Sequence, residues 1–224
     1  MSGAVIIGAG PGIGRSVARR FAREGLPIAL IARNAATVEG VAKAVRPLGV
    51  PVVSLTADST DEDALRSALD AASEELGVPD VVVYNAAIIQ ADAAGQLSTR
   101  AHLDAWAVNV IGALTAAAHV APAMAQRGSG SIIVTGGMPE PKRDYVSLSL
   151  GKAGVRTLVD LLHLEYGASG VHVASVTVDG SVAPATAFDP DDIAERYWAL
   201  HTQQRGQWQR EVIHTGRDLA GDLR

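Results

Sequence analysis

Short β-branched apolar runs alternate along this chain with longer stretches in which apolar residues recur at three- and four-residue spacing. The runs Ala4 to Ile7, Ile28 to Ala32, Val52 to Thr56, Val81 to Tyr84, Ile132 to Thr135, Val171 to Val178 and Glu211 to His214 are predicted strands. The stretches near 13–25, 35–46, 61–76, 98–127, 147–168 and 190–203 are predicted helices. Strands that read as continuous apolar runs, not alternating ones, suit a parallel sheet with helices on both faces. The pattern therefore predicts an α/β fold, a doubly wound, Rossmann-like parallel sheet of about seven strands covered on both sides.

Local chemistry punctuates the elements. Ser59-Thr60-Asp61-Glu62 reads as a capping box, Gly25 closes the first helix before Pro27, and Gly49 with Pro51 breaks the third unit. Asp189-Pro190-Asp191-Asp192 reads as a helix start, with Pro near the first position and acids in the first turn. No linker, charge block, repeat or compositional break divides residues 1–224, so a single domain is expected.

Composition narrows the function. Nearly half of the residues are apolar (48%) but only 4% are aromatic, which favours closely packed helices and buried strands over a β-sandwich. With 19 basic and 24 acidic residues and no basic stripe, no nucleic-acid partner is expected. The absence of cysteine excludes disulfides, thiolate catalysis and Cys-ligated zinc, and the scattered histidines offer no metal-binding spacing, so no metal is expected. The apolar run Ala4 to Ile7 is far shorter than the ~20 residues of a membrane span. Met1-Ser2 brings no charged leader, so a cytoplasmic protein without a membrane partner is expected.

The candidate chemistry begins after the first strand, at Gly8-Ala9-Gly10-Pro11-Gly12-Ile13-Gly14. A tight turn from strand to helix aims backbone N–H groups and the positive helix end at one place, where a pyrophosphate can sit. The spacing is G-x-x-x-G-x-G through Gly8, Gly12 and Gly14. G-x-G-x-x-G fails because Ile13 and Arg15 stand in the last places, and a Walker A loop fails because no Lys follows Gly14. The backbone of Gly8, Gly10, Pro11, Gly12, Ile13 and Gly14 is the candidate dinucleotide cradle; the alternative is a turn needed only for close helix–strand packing. After the second strand, Ala32-Arg33-Asn34 contains no acid to bond a ribose 2′-hydroxyl, whereas Arg33 offers a fork for a 2′-phosphate. Arg33 and Asn34 thus favour NADP(H) over NAD(H), against the alternative of an ordinary solvated arginine.

With Tyr84-Asn85-Ala86-Ala87 after the fourth strand and Asn109-Val110-Ile111-Gly112 in the long helix, the sequence resembles the short-chain dehydrogenase/reductase family over nearly its whole length. The resemblance implies that Ala57, Asp58 and Ser59 frame the adenine and that Asn85, Ala86 and Ala87 line the cofactor cleft. It also implies that Asn109 holds a water in a proton relay and that Thr186 touches the cofactor. The family's N-A-G stands here as N-A-A, and Val178-Asp179 stands where Pro-Gly is usual. The implied chemistry is hydride exchange between nicotinamide and a carbonyl or alcohol carbon of a small molecule, assisted by a Tyr four residues before a Lys and by a Ser after the fifth strand.

The resemblance implies that Lys152 grips the ribose, with a solvated helix charge as the alternative, but the position four residues earlier is Leu148, and Gly136-Gly137 stands where the serine pair is usual. Tyr145, seven residues before Lys152, is a substitute proton donor reaching in from a loop that Pro139 and Pro141 hold open. Ser147, Ser149 and Thr135 are further hydroxyls, with helix capping for the serines and strand packing for the threonine as alternatives. Tyr197 and Trp198 form either a substrate wall or core. The two long helices are apolar on more than one face, which suggests a homodimer or homotetramer. Three functions follow: an atypical NADP(H) oxidoreductase that retains Asn109 and Lys152 and takes its proton from Tyr145, a serine, water or the substrate itself, a noncatalytic NADP(H)-binding regulator or partner subunit, or a nonredox lyase or isomerase in the same cleft.

Overall fold

A computed structural model describes residues 3–216; the N-terminal reading at Met1-Ser2 lies outside them. The chain runs β1 (Ala4–Ile7), α1 (Ile13–Arg23), β2 (Ile28–Ala32), α2 (Ala35–Val45), β3 (Val52–Thr56), α3 (Glu62–Leu76), β4 (Val81–Tyr84) and α4 (Thr99–Trp106). A π-helical turn, Ala107–Ile111, leads into α5 (Gly112–Arg127), then β5 (Gly130–Gly137), α6 (Val146–Tyr166), β6 (Val171–Val178), α7 (Pro190–His201) and β7 (Glu211–His214). All seven strands form one parallel sheet in the order β3-β2-β1-β4-β5-β6-β7.

Successive side chains of a strand point to opposite faces, and the core divides accordingly. Val5, Ile7, Ala29, Ile31 and Val82 pack under α3, α5 and α6, while Ala4, Ile6, Ile28, Leu30 and Val83 pack under α1, α2 and α7. β3 departs from the continuous-burial reading, because as an edge strand it is only partly covered. The sequence order reverses between β1 and β4, so the strand ends diverge there and open a crevice at the carboxyl edge of the sheet.

Three sequence expectations change. The cap of α3 is Asp61, whose carboxylate accepts from Ala64 N at 3.0 Å; Ser59 lies too early in the chain to cap it and is buried. β5 is eight residues long, not four, because its paired neighbour β6 keeps it in register through Gly137↔Val178. Ser147 and Ser149 lie inside α6 and do not cap it. The head of α6 is held instead by Asp92, from the loop after β4, whose carboxylate accepts from Ser147 N (3.0 Å) and Ser147 Oγ (2.9 Å).

Residues Thr99–Arg127 form one unbroken helical stretch of 29 residues containing an 18-residue window of mean hydropathy 1.4, long and apolar enough to cross a bilayer, but 56% of that window is buried inside the fold.

Candidate functional site

The crevice between β1 and β4 is a cleft of about 280 Å³ lined by the glycine turn (Gly8, Gly10), the end of β2 (Ile31 to Asn34) with Thr37, Ala57 and Ser59 after β3, Asn85 to Ala87 after β4, and Val108. Gly8 adopts φ +79°, and a Cβ there would be driven into the backbone of Ala86. A Cβ on Gly14 would lie 2.6 Å from Gly8 O, so these two glycines let helix, turn and β4 close on one another. Gly12 behaves differently: a Cβ there would meet nothing within 4 Å, and one on Gly10 only Gly8 O at 3.9 Å.

The space above the turn is therefore open, and the N–H groups of Gly12, Ile13 and Gly14 at the head of α1 find no protein acceptor among the described residues. An open cradle of unpaired N–H groups at a helix start fits a pyrophosphate. Pro11, Gly12, Ile13 and Gly14 form the turn and first residues of α1 beside the cleft and are not among its walls.

At the β2 end of the cleft, Arg33 is exposed and is the single charged residue among the described residues that line it. Asn34 caps α2, accepting from Ala36 N (2.8 Å) and Thr37 N (3.3 Å). Ser59 lines the cleft; Asp58 spends its carboxylate on Thr60 N (2.9 Å) and Oγ1 (2.8 Å) and does not. Asn85 donates through Nδ2 to Gly8 O at 2.9 Å, tying β4 to the turn. Below it, the phenol of Tyr84 donates to Val108 O at 2.6 Å, and burial pushes its pKa up to about 12.

The π-helical turn carries Asn109, whose amide exchanges hydrogen bonds with the backbone of Ile88 (Ile88 N to Oδ1 at 2.8 Å, Nδ2 to Ile88 O at 3.3 Å). Such a turn inserts one extra residue per helical turn and re-aims the side chain it carries. Lys152 is 5% exposed and donates to Thr135 O at 2.7 Å; burial lowers its pKa to about 8. Leu148, one helical turn earlier, is buried, and a side chain on Gly137 would meet Lys152 Cε at 3.6 Å, ordinary contact.

The structure does not join Tyr145 to Lys152 by a hydrogen bond: Tyr145 is the residue before α6, half-buried, and its hydroxyl has no protein partner among the described residues. The other hydroxyls are engaged. Ser147 Oγ donates to Asp92, Ser149 Oγ accepts from Lys142 N at 3.0 Å, and Thr186 Oγ1 donates to Ala183 O at 2.8 Å within its own exposed turn, outside the cleft walls. Thr135 is not merely packed in its strand, since its hydroxyl bonds Asn85 Oδ1 at 2.9 Å and Tyr197 Oη at 2.7 Å. Tyr197 is wholly buried core, not a substrate wall. Sequence reasoning missed Thr37 and Val108 as cleft residues. Thr37 was within reach, one turn beyond the Asn34 cap, whereas Val108 depends on the unforeseen π-helical turn.

A family model described as short chain dehydrogenase matches residues 2–189. The chain is 31% identical over 224 residues to cis-4-hydroxycyclohexanecarboxylate dehydrogenase of Sinomonas cyclohexanicum, covering 98% of this chain and 89% of that protein. It is also 31% identical over 189 residues to the probable oxidoreductase EphD of Mycobacterium tuberculosis, but there it spans only 32% of a longer protein. The crystal structure of a metagenomic short-chain oxidoreductase in complex with NADP superposes with a TM-score of 0.85 at 25% identity, over 95% of this chain and 96% of that one. With the sheet order, the open glycine cradle and the family match in agreement, the chain belongs to the short chain dehydrogenase family, oxidoreductases that bind a nicotinamide cofactor.

Proposed function

We propose that this protein binds NADP(H) in preference to NAD(H) and acts on a small carbonyl or alcohol, with the proton handled without the family's usual tyrosine and serine. The observation that carries the cofactor preference is the lining of the cleft, which has one cation, Arg33, and no carboxylate. A 2′-phosphate would find a guanidinium fork there, and a ribose diol would find no acid to receive its protons.

When bound, the nicotinamide supplies hydride exchange with a carbonyl or alcohol carbon; the protein's share is binding, orientation and the proton. The glycine turn and the head of α1 would hold the pyrophosphate, Arg33 and Asn34 the adenosine phosphate end, and Asn85 to Ala87 the opposite wall. Lys152 stays close enough to ionisation at neutral pH to give up or regain a proton, and Tyr145, just before α6, carries a hydroxyl with no partner among the described residues. Asn109, fixed by Ile88, completes the candidate set.

A second reading, a noncatalytic NADP(H)-binding regulator or partner subunit, is favoured by Leu148 and by the engagement of Ser147, Ser149 and Thr135 elsewhere. Titration of the purified protein with NADPH and NADH, followed by a carbonyl screen of wild type, Lys152→Ala, Tyr145→Phe and Leu148→Tyr, separates the two. We expect NADPH to bind at least about tenfold more tightly than NADH, and Arg33→Ala to erase most of that margin. Failure of both nucleotides to bind would overturn both readings. Binding without turnover in any variant except Leu148→Tyr would select the noncatalytic one.

We further propose a homodimer or homotetramer formed through the long helices. Leu150, Leu161 and Leu164 lie 56–76% exposed along one stripe of α6, beside exposed Leu103, Ile111 and Leu114. Contiguous apolar helix faces of this kind are rare on monomers.

A further inference from the structure

Tyr197 brings a polar group into the fully buried layer between α7 and the sheet, and a buried phenol needs a partner. Its hydroxyl lies 2.7 Å from Thr135 Oγ1, which lies 2.9 Å from Asn85 Oδ1, and Asn85 Nδ2 lies 2.9 Å from Gly8 O. The direction of this chain is settled by counting protons. Asn85 must present its NH₂ to the carbonyl of Gly8, so its oxygen faces Thr135 and can only accept. Thr135 has one proton and gives it to Asn85, which leaves Tyr197 as the donor to Thr135. The order is Tyr197 to Thr135 to Asn85 to Gly8, and Gly8 O also accepts from Gly10 N at 2.8 Å.

The sheet explains why these residues meet. Pairing between β4 and β5 ends at Tyr84↔Val134, so Asn85 and Thr135 stand one residue beyond the last rung, where the two strands part. Thr135 remains fixed from the other side by its pairing with Val176 in β6. Its carbonyl takes the Lys152 ammonium from the α6 side of the sheet at 2.7 Å, while its hydroxyl serves Asn85 from the α7 side. One residue thus fixes Lys152 and the glycine turn relative to each other.

We propose that Thr135 and Tyr197 are positioning residues for the nucleotide site, setting the Gly8 turn through Asn85 and holding it in register with Lys152. The inference rests on the nucleotide-binding reading above. Neither side chain touches the cleft; both act through Asn85.

The test uses Thr135→Val, which keeps the shape and removes the hydroxyl, Thr135→Ser, which restores it, and Tyr197→Phe, which keeps the ring. The readouts are the NADPH dissociation constant by fluorescence titration, and amide hydrogen exchange at Gly10 in nucleotide-free protein. Thr135→Val is expected to weaken NADPH binding about tenfold and to speed Gly10 exchange by a similar factor, with Tyr197→Phe giving about a threefold effect on both. Thr135→Ser should stay within about twofold of wild type, and Tyr197→Phe added to Thr135→Val should bring no further loss, since the relay is already cut.

Unchanged affinity and unchanged Gly10 exchange in Thr135→Val, with only a lower melting temperature, would overturn the proposal. Should that variant fail to fold, Tyr197→Phe carries the same two readouts and the same overturning result. If wild type binds neither NADPH nor NADH, the nucleotide-binding reading fails on its own account, and Gly10 exchange alone decides whether the relay holds the turn.

Discussion

At Lys152 an ammonium is buried beside a single backbone carbonyl, and desolvation lowers its pKa from the ordinary 10.5 to about 8. Between those values the unfolded chain binds the proton and the folded one releases it, so stability rises with pH across that window. Wild type should therefore gain on Lys152→Met between about pH 8 and 10.5 in urea unfolding, and a flat difference would show that the amine is not desolvated in solution. Gly112 is constrained by packing. A Cβ there would lie 2.7 Å from Ser59 O and collide with the Tyr84 hydroxyl, so Gly112→Ala should cost about 1–3 kcal/mol by urea unfolding. Residue types told much at this scale: Gly8, Gly14 and Arg33 could be singled out because spacing after a strand has geometric meaning. The bonds made by Asp92, Thr135 and Tyr197 could not be foreseen, because their partners stand 55, 50 and 62 positions away and no local pattern marks the pairing.

Helix α6 shows what an element owes to its surroundings. It carries no capping side chain of its own, and the anchor comes from Asp92, which also pairs through its backbone with the residues just before the helix (Asp92 N to Asp144 O 3.0 Å, Val146 N to Asp92 O 3.1 Å). The loop after β4 and the head of the helix carrying Leu148 and Lys152 therefore form one unit. Asp92→Ala should lower stability by about 2 kcal/mol, since a cap is lost and buried donors on Ser147 are stranded, whereas Asp92→Asn should recover roughly half; thermal and urea unfolding of both variants check this. The helical period located α4 and α5 as one apolar stretch, but the π-helical turn that points Asn109 at Ile88 leaves no trace in spacing, since an inserted residue changes backbone hydrogen bonding and not composition.

For the molecule as a whole, the parallel sheet is closed on both faces by helices, and most of the exposed large apolar side chains among the described residues lie on α4 to α6, with Ile89, Val182 and Ile213 elsewhere. If a second copy covers that surface, Leu161→Lys combined with Leu164→Lys should shift the protein to monomer in size-exclusion chromatography with light scattering, while leaving NADPH binding measurable. A wild-type monomer would refute the assembly.

The sequence by itself determined the order and type of the elements, the doubly wound layering, the place of the nucleotide turn and the sign of the charge beside it, because periodicity, glycine stereochemistry and strand-to-helix turns act within a few residues. Tertiary structure alone decided where α6 is capped, how Asn109 is aimed, and that Thr135 joins Lys152, Asn85 and Tyr197 at the end of β5. Those contacts depend on strands distant in sequence parting at one edge of the sheet, and a buried polar group takes whichever partner that edge brings within reach.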